Sequence, residues 1–337
     1  MTAHSDPEDP RPRAASVFDV AKVAGVSHQT VSRVLNDHPS LRDATRQKVL
    51  KAMRELNYRP NAAARALSSS RSRMIGILST SSGEYGPASS VAAVETAARG
   101  RGYSVTIANA DGLDPLSVNE AVNHLANLAA EGLVVVAPQT RVLAALSELS
   151  IGIPFVTLQA SGTDPTGTRE LDQVVGARLA TAHLVALGHT RIGHIAGPPE
   201  WLDASQRLAG FQDELAQHGL GAGLVATGDW SAASGYRAAT TLLDQGVTAI
   251  FVGNDQMALG ALSAATAARL EVPGDLSIVG FDDVPEAAFY HPPLTTVRQD
   301  LAEAGRRAVA LLLGESDAAP SVQPQLIVRA STAPPRR

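Results

Sequence analysis

From residue 73 onward, short apolar runs alternate with longer alanine-rich stretches. The short runs have the length and composition of buried strands, and we expect strands at 74–79, 103–108, 132–137, 153–158, 191–197, 223–227, 248–253 and 276–281. The stretches between them have helical spacing, near 88–100, 116–131, 173–187, 204–218, 232–245 and 255–270. Strands that alternate with helices are typical of parallel sheets covered on both faces. The pattern therefore predicts an α/β body of two doubly wound units.

The first 73 residues differ from the rest of the chain in charge. Of the 28 Lys and Arg and the 33 Asp and Glu in the whole chain, residues 1–73 hold 13 and 7, a net charge of +6. This leaves −11 for residues 74–337, so the overall net charge of −5 conceals a basic N-terminal segment. Such a segment is most often an ordinary solvated surface, and an inference of nucleic-acid binding needs a motif as well.

Residues 16–60 supply a pattern of three short helices. The first spans 17–24 with apolar residues at helical spacing, and Gly25 follows where a helix can end. The third spans 43–58 and has Asp43 as its expected N-cap. Three small helices joined in this way predict a helix-turn-helix domain, although an ordinary pair of antiparallel helices with a polar outer face is an alternative.

The second helix has the features of a helix that reads DNA. Ser27 is its expected N-cap, and the inner face is made of Val31, Val34 and Leu35. The outer face carries His28, Gln29, Ser32 and Arg33. In the major groove of DNA a glutamine suits adenine and an arginine suits guanine. This face is therefore the candidate DNA-reading surface.

Residues 59–70, RPNAAARALSSS, predict a conditional helix. Pro60 ends the preceding helix, Asn61 can cap a new one, and the alanine-rich run is too short to be stable alone in water. Leu67 has no helical partner against which to bury, and such a leucine can insert between base steps in the minor groove. A flexible linker of alanine and serine fits the composition equally well.

Residues 17–36, VFDVAKVAGVSHQTVSRVLN, and 58–67, YRPNAAARAL, resemble the headpiece and hinge of the lactose/galactose repressor (LacI/GalR) family. The resemblance implies that His28, Gln29 and Arg33 read an operator half-site. It also implies that Leu67 intercalates at the operator centre. The remaining residues expected to contact DNA are Ser27, Thr30, Asn36, Asn61 and Arg65.

Polar residues follow several of the expected strands, where ligands of doubly wound folds collect. Asn254 and Asp255 follow one strand, Asp282 and Asp283 follow another, and Arg207 lies in the helix after 191–197. Together they offer donors and acceptors for vicinal hydroxyls, and an indole at position 230 offers an apolar face for a sugar ring. The pattern predicts a sugar or polyol site. Each residue also has a structural alternative: a helix cap at 254, a turn at 283 and a core position at 230.

The body also resembles this family, through VALGH (185–189), GDWSAASG (228–235), NDQMALGA (254–261), VGFDD (279–283) and PPLTTVRQD (292–300). The resemblance implies a two-subdomain body like that of periplasmic binding proteins. The residues expected to contact the effector are Ser79, Glu84, Gln159, Arg207, Trp230, Asn254, Asp282 and Gln299. Gln159, Val136 and Glu84 differ from the residues of the galactoside pocket, so the sequence does not name the sugar.

These patterns give an expected domain organisation. We expect a disordered tail at 1–15, a helix-turn-helix domain at 16–60, a hinge or linker at 61–72 and an effector-binding domain at 73–337. Within the last domain, the expected N-subdomain comprises about 73–171 and 299–330, and the expected C-subdomain about 172–298.

Composition narrows the setting. The chain has no cysteine, its first residues lack the apolar segment of a secretory signal, and no apolar run is long enough to span a membrane. We expect a cytoplasmic protein without a cofactor or metal. The end of the sequence, ASTAPPRR, has no leucine heptad that would form a tetramer, so the expectation is a homodimer.

The expected function is a transcriptional repressor that binds a palindromic operator as a dimer and is released by a small, galactoside-like sugar. A regulator of the same fold that responds to a purine or a phosphosugar is an alternative. A carbohydrate enzyme with a DNA-binding head, using Asp282 and Asp283, is a further alternative. Adjacent residues at the end of a strand point apart, however, and the sequence has neither a P-loop nor a nucleophile-elbow motif.

Overall fold

The computed structural model describes residues 15–35, 41–58, 71–80, 83–148, 152–158, 172–315 and 323–336. The chain divides into two compact units, residues 1–72 and 73–337. We call the described part of the first unit the headpiece and the second unit the body.

Three short helices form the headpiece: α1 (Val17–Ala24), α2 (His28–Leu35) and α3 (Asp43–Glu55). Ser16 begins α1 through a capping box with Asp19, and Gly25 ends it in the left-handed conformation, with a φ of 65°. The expectation for α3 was wrong by one residue. Asp43 is the first helical residue and Arg42 is the N-cap, without a side-chain capping bond. The carboxylate of Asp43 still lies in the first turn, where the helix dipole favours it.

The headpiece closes around a small apolar core. One face of each helix contributes to it, and the buried residues are Val20, Ala21, Val31, Val34, Val49 and Ala52. Leu35, which was also expected to face inward, is partly buried against this core. Because α2 buries only this face, its polar residues are left on the outside.

The first sheet of the body contains β1 (Met74–Ser79), β2 (Ser104–Asn109), β3 (Gly132–Val136) and β4 (Phe155–Thr157), in the order β2-β1-β3-β4 and all parallel. Its helices in chain order are α4 (Tyr85–Gly100), α5 (Pro115–Asn127) and α6 (Thr140–Glu148). Helix α6 was not expected from the sequence. We call this sheet and its helices the N-lobe.

The second sheet has the order β10-β9-β8-β7-β5-β6. Its strands are β5 (Ile192–Ala196), β6 (Leu224–Thr227), β7 (Ala249–Val252), β8 (Ser277–Asp282), β9 (Thr295–Arg298) and β10 (Gln325–Ile327). Its helices are α7 (Gln173–Ala186), α8 (Leu202–Gln217), α9 (Ala232–Asp244) and α10 (Asp255–Ala267). The pairing is parallel except between β9 and β10, which run antiparallel. We call this sheet and its helices the C-lobe.

Segment 299–330 is divided between the lobes rather than confined to the N-lobe. Helix α11 (Leu301–Leu312) packs on the N-lobe, where Ala304, Ala308 and Val309 join its core. Strand β10 instead pairs with β9 at the edge of the C-lobe sheet. The chain therefore crosses between the lobes immediately after β9, at Gln299.

Both sheets are covered on both faces, as the alternation of strands and helices predicts. In the N-lobe, Ile75 and Ile77 pack with α4 and α11, whereas Leu78 packs with α5 and α6 on the opposite face. The C-lobe sheet likewise lies between α7 with α8 and α9 with α10. The predicted α/β fold class is confirmed. Among the described helices, none is both long and apolar enough to cross a bilayer.

Helices α9 and α10 approach each other closely through two glycines. A Cβ added to Gly260 would lie 1.9 Å from the carbonyl oxygen of Ala232, and one added to Gly235 would lie 2.2 Å from that of Met257. Both obstacles are main-chain atoms, which cannot rotate away. Only glycine permits this packing at the two positions.

Candidate functional site

The outer face of α2 is the candidate DNA-reading surface of the headpiece. His28, Gln29 and Arg33 are exposed, whereas Val31 and Val34 on the other side are buried. The structure therefore places the three predicted base-reading residues together on one exposed face.

Ser27 and Thr30 form the cap at the start of α2. The main-chain nitrogen of Thr30 donates to Ser27 Oγ at 3.2 Å, and the two hydroxyl oxygens lie 2.9 Å apart. The predicted N-cap is therefore present. The cap holds the first turn of α2, which carries His28 and Gln29, and its own hydroxyls lie at the same end of the helix.

Phe18 contacts the first residue of α2. Its ring centroid lies 5.3 Å from that of His28, at an interplanar angle of 40°, although the phenyl group itself is 69% exposed. An exposed phenyl ring gains little from burial, so this contact is its main described role. No sequence pattern predicts this pair, because α1 and α2 meet only in the folded headpiece.

Several predicted residues lie outside the described residues. They are Asn36, Asn61, Arg65 and Leu67 of the DNA-binding set and Gln159 of the effector set.

A closed ring of side chains is the centre of the effector site predicted in the body. Arg207 Nε donates to Gln173 Oε1 at 2.8 Å, Gln173 Nε2 donates to Gln299 Oε1 at 2.7 Å, and Gln299 Nε2 donates to Asp282 Oδ1 at 3.0 Å. The same Asp282 oxygen lies 3.6 Å from Arg207 Nη2. We call these four residues the cleft ring. It joins the start of α7, the middle of α8, the end of β8 and the crossing after β9.

Arg207 is held from several directions. Its Nη1 donates to the carbonyl of Gly253, and its guanidinium carbon lies 3.9 Å from the ring centroid of Phe281 and 5.7 Å from that of Trp230. The arginine side chain is 6% exposed, as is that of Asp282. Such a cation is fixed in position before any ligand arrives.

Asp282 is a buried carboxylate on an unusual backbone. Its φ is 107°, which L-residues rarely adopt, and Asp283 follows with a φ of 55°. Burial raises the pKa of Asp282 to about 6, while the Arg207 guanidinium opposes that rise. Backbone strain of this kind collects at binding sites, where the surrounding structure holds it.

Asp283 points away from the ring, as the sequence predicts for adjacent residues. Its carboxylate accepts from Arg298 Nε and from Arg329 Nη2, each at 2.6 Å. It therefore ties the end of β8 to its neighbours, whereas Asp282 serves the ring. The two carboxylates therefore have different hydrogen-bond partners.

Trp230 and Asn254 have structural roles as well as predicted binding roles. Trp230 is buried in the C-lobe core, has a φ of 71° and lies edge-on to Trp201 at 5.3 Å. Asn254 caps α10 by accepting from the nitrogen of Met257 at 2.8 Å, and it donates to the carbonyl of Trp230 at 3.2 Å. Both structural alternatives are thus observed, and the indole still faces Arg207.

The remaining predicted residues of the effector set lie at the N-lobe side. Ser79 is buried at the carboxyl end of β1, and Glu84 is the N-cap of α4 without a side-chain capping bond. A cavity of about 1060 Å³ lies between α4 and α11, and Gln299 and Tyr85 are among its lining residues. Burial raises the pKa of Tyr85, and the charges of Asp282, Asp283 and Asp255 add to that rise.

Asp255 is a fully buried carboxyl group beneath the cleft ring. Its Oδ1 accepts from Thr296 Oγ1 at 2.6 Å, and its Oδ2 accepts from the nitrogen of Val284 at 2.9 Å. Burial raises its pKa to about 8, and the nearby charge of Asp282 adds to that rise. Asp255 joins α10 to the segments on both sides of the 3₁₀ helix at Pro285–Phe289.

The two lobes are joined by main-chain hydrogen bonds. Leu202 N donates to the carbonyl of Pro138 at 2.7 Å, and Thr140 N donates to that of Glu200 at 3.2 Å. Between these bonds, Gln139 and Trp201 form an antiparallel bridge. We call segments 138–140 and 200–202 the lobe clasp. It fixes the start of α8 against the N-lobe.

Sequence reasoning missed Gln173, which is a member of the ring, and two residues near the ring, Asp203 and Tyr85. Each belongs to a helix whose local pattern is ordinary, so only long-range topology brings it to the site. Within the described residues, no cluster of three His, Asp or Glu side chains has the arrangement of a metal site.

Comparison with known proteins finds a matching family model in each of the two units. The model of "Bacterial regulatory proteins, lacI family" matches residues 16–61, and that of a periplasmic binding protein-like domain matches residues 181–332. The lactose operon repressor of Escherichia coli (strain K12) is 37% identical over 304 residues, 89% of this chain and 84% of that protein. The HTH-type transcriptional repressor PurR of Haemophilus influenzae (strain PittEE) is 37% identical over 305 residues, 89% of this chain and 90% of that protein.

Among solved structures, the lac repressor dimer bound to operator and the anti-inducer ONPF superimposes with a TM-score of 0.85 at 35% identity. The match covers 95% of this chain and 100% of the other. Matches in both units, at this identity and coverage, establish the relationship: the chain belongs to the lacI family of bacterial regulatory proteins.

Proposed function

We propose that this protein is a sequence-specific transcriptional repressor that binds a palindromic operator as a homodimer and is released by a small sugar. The observation that carries the proposal is the outer face of α2, where His28, Gln29 and Arg33 are exposed opposite a buried apolar face. A helix of this kind fits the major groove and presents hydrogen-bonding groups to base edges.

Each headpiece residue has a distinct role in this proposal. Gln29 pairs with adenine, Arg33 pairs with guanine, and His28 contacts a further base, while Ser27, Thr30 and Asn36 hold the phosphate backbone. Asn61, Arg65 and Leu67 contact the operator centre from the hinge, 61–72. We assign DNA binding to 16–60 and effector binding to 73–337.

The class of effector follows from the chemistry of the cleft ring and the side chains around it. The cleft ring and Asn254 offer charged and neutral groups that pair with hydroxyls, and Trp230 offers an aromatic face. A neutral galactoside-like sugar fits this set, with Ser79, Glu84 and Gln159 contributing from the N-lobe side. Since Arg207 and Asp282 are each only 6% exposed, a ligand reaches them when the lobes separate.

Release would then follow from a change in the lobes. Sugar binding in the cleft favours a lobe arrangement that separates the two hinges of the dimer, and DNA affinity falls. The effector acts only to the extent that it binds one arrangement more tightly than the other.

Two alternatives remain weaker. The first alternative is a regulator of the same family with a different class of effector. A repressor named PurR is among the relatives, and Gln159, Val136 and Glu84 differ from the residues of the galactoside pocket. A carbohydrate enzyme is disfavoured because Asp282 and Asp283 serve separate contacts, so we propose a non-enzymatic, cytoplasmic regulator without a cofactor.

The test begins with selection of bound DNA from a random duplex library by the full-length protein. The expected product is a pseudopalindrome, and Gln29→Ala and Arg33→Ala each lose about 1–3 kcal/mol of discrimination at one position of the half-site. Lys51→Ala, an exposed cation on α3, serves as the control that leaves base preference unchanged. A neutral sugar should then release the selected DNA. Failure to enrich any sequence, or retention of the DNA with every sugar tested, would overturn the proposal.

A further inference from the structure

Asp203 lies on α8 between Leu202 of the lobe clasp and Arg207 of the cleft ring. It is in the first turn of α8, four residues before Arg207, so both side chains lie on one face of the helix. The main-chain nitrogen of the preceding residue, Leu202, donates a hydrogen bond to the carbonyl of Pro138 in the N-lobe. Asp203 is half-buried, and is thus more accessible than Arg207 and Asp282.

Asp203 interacts with both charged members of the cleft ring. Burial raises its pKa, while the Arg207 guanidinium lowers it. Its own charge in turn raises the pKa of Asp282. Asp203 lies about one helical turn before Arg207, whose Nη2 is 3.6 Å from Asp282 Oδ1, so the three charged groups lie close together.

The ring does not satisfy this carboxylate. Arg207 directs its Nε to Gln173, its Nη1 to Gly253 and its Nη2 toward Asp282. Among the described residues, no hydrogen bond reaches the carboxylate of Asp203. The indole ring of Trp230 lies 5.7 Å from the guanidinium carbon of the same Arg207, and its nitrogen is buried without a hydrogen-bond partner in the described part of the chain. A half-buried carboxylate with open acceptor positions favours a ligand that brings donors.

The local charge balance sets the ligand class. Two carboxylates, Asp203 and Asp282, face one guanidinium, so the site carries excess negative charge when both are ionised. A phosphoryl group brings about two further negative charges at neutral pH, which like-charge repulsion opposes in a buried site. Hydroxyl groups and ammonium groups donate hydrogen bonds to carboxylates.

We propose that Asp203 contacts the effector directly and makes the cleft select an uncharged or amine-bearing sugar against its phosphorylated counterpart. This inference rests on the proposed function, because it assigns a residue and a ligand class to the same cleft. It favours a neutral or amine-bearing sugar over a phosphosugar as the effector.

The test uses the full-length protein and calorimetry. The probes are common mono- and disaccharides, each supplied as the neutral sugar, the 2-amino sugar and the 6-phosphate. The native protein should bind a neutral or amino sugar at least about 10-fold more tightly than the matching phosphate. Asp203→Asn should weaken that binding about 10-fold, since a charge-assisted hydrogen bond is lost. The ratio between the affinities for the sugar and for its phosphate should therefore become smaller. Asp213→Asn, an exposed carboxylate on the same helix, is the matched control and should change neither value.

The outcomes separate this inference from the proposed function. Tighter binding of a phosphate than of its neutral sugar, or unchanged sugar binding by Asp203→Asn, overturns the role of Asp203 while leaving a sugar-responsive regulator in place. Operator binding by Asp203→Asn at native strength shows that the variant is folded. If no probe binds at all, both the sugar effector and the role of Asp203 are wrong.

Discussion

Arg207 and Asp282 form an ion pair of 3.6 Å in which each side chain is 6% exposed. The arginine is on α8, and the aspartate ends β8, 75 residues later in the chain. Gln173, at the start of the first C-lobe helix, and Gln299, where the chain leaves β9 for the N-lobe, complete the ring. In the proposed function, a ligand that contacts the pair would therefore act directly on positions at which the lobes are joined.

Replacement of Arg207 should lower the stability of the folded protein. Arg207→Met leaves the Asp282 carboxylate buried without its cation, and we expect a loss of about 3 kcal/mol in the free energy of unfolding, measured by urea denaturation. Arg99→Met removes an exposed partner of Glu95 and should cost less than about 0.5 kcal/mol. Adding Asp282→Asn to Arg207→Met should recover part of the loss. A double variant no more stable than the single one would contradict the assignment of the cost to an unpaired charge.

Asp255 should make the protein less stable as pH rises. Its pKa is about 8 in the folded state against an ordinary value of 3.8, so between these values the folded protein holds a proton that the unfolded chain releases. The free energy of unfolding should therefore fall with rising pH, by at most about 1.4 kcal/mol per unit for this one proton. Asp255→Asn imitates the protonated group and should flatten the slope between pH 6.5 and 8, above the pKa of about 6 at Asp282.

The control for this measurement is Asp229→Asn. Hydrogen bonds from Ser231 and Ser234 lower the pKa of Asp229, so this carboxylate stays ionised throughout the same range. Its replacement should leave the slope unchanged. An Asp255→Asn protein with the native slope would show that the buried group does not titrate there.

Phe18 should matter for base preference rather than for general DNA affinity. Phe18→Ala removes the ring that contacts His28, and we expect a loss of about 3- to 10-fold in discrimination at the base pair that His28 reads. Val23→Ala, also exposed on α1, is the control. The measurement is fluorescence anisotropy with operators that vary at single positions. An equal loss of affinity for every sequence would mean that Phe18 contacts the DNA backbone instead.

The glycine contact between α9 and α10 should not tolerate a methyl group. In Gly260→Ala the new Cβ meets the main chain of Ala232, and we expect a loss of about 2 kcal/mol or more in the free energy of unfolding. Gly86→Ala, in the first turn of α4, meets nothing within 4 Å and should be neutral or stabilising by about 0.5 kcal/mol. Similar effects of the two substitutions in thermal denaturation would contradict the packing argument.

Local patterns predicted the elements better than they predicted the site. Short apolar runs predicted the positions of β1 to β8, because a buried strand is marked by apolar residues that are neighbours in the chain. Helix α6 was missed although Val142 and Leu146 have helical spacing and are both buried. The positions after strands predicted Arg207 and Asp282, and the resemblance added Gln299; the structure joins all three in one ring.

Gln173 and Asp203 show where sequence reasoning stops. Neither breaks the pattern of its helix, and both acquire their roles from residues far away in the chain. The placement of β10 in the C-lobe follows from its pairing with β9, which nothing within residues 299–330 indicates. Contacts of this kind depend on topology, which short-range periodicity does not encode.

The lobe clasp depends on peptide groups, since Leu202 and Thr140 donate through their main-chain nitrogens. Peptide donors and acceptors survive almost any change of side chain. The side chains at positions 201 and 203 can therefore change over evolution while the two lobes keep the same main-chain contact.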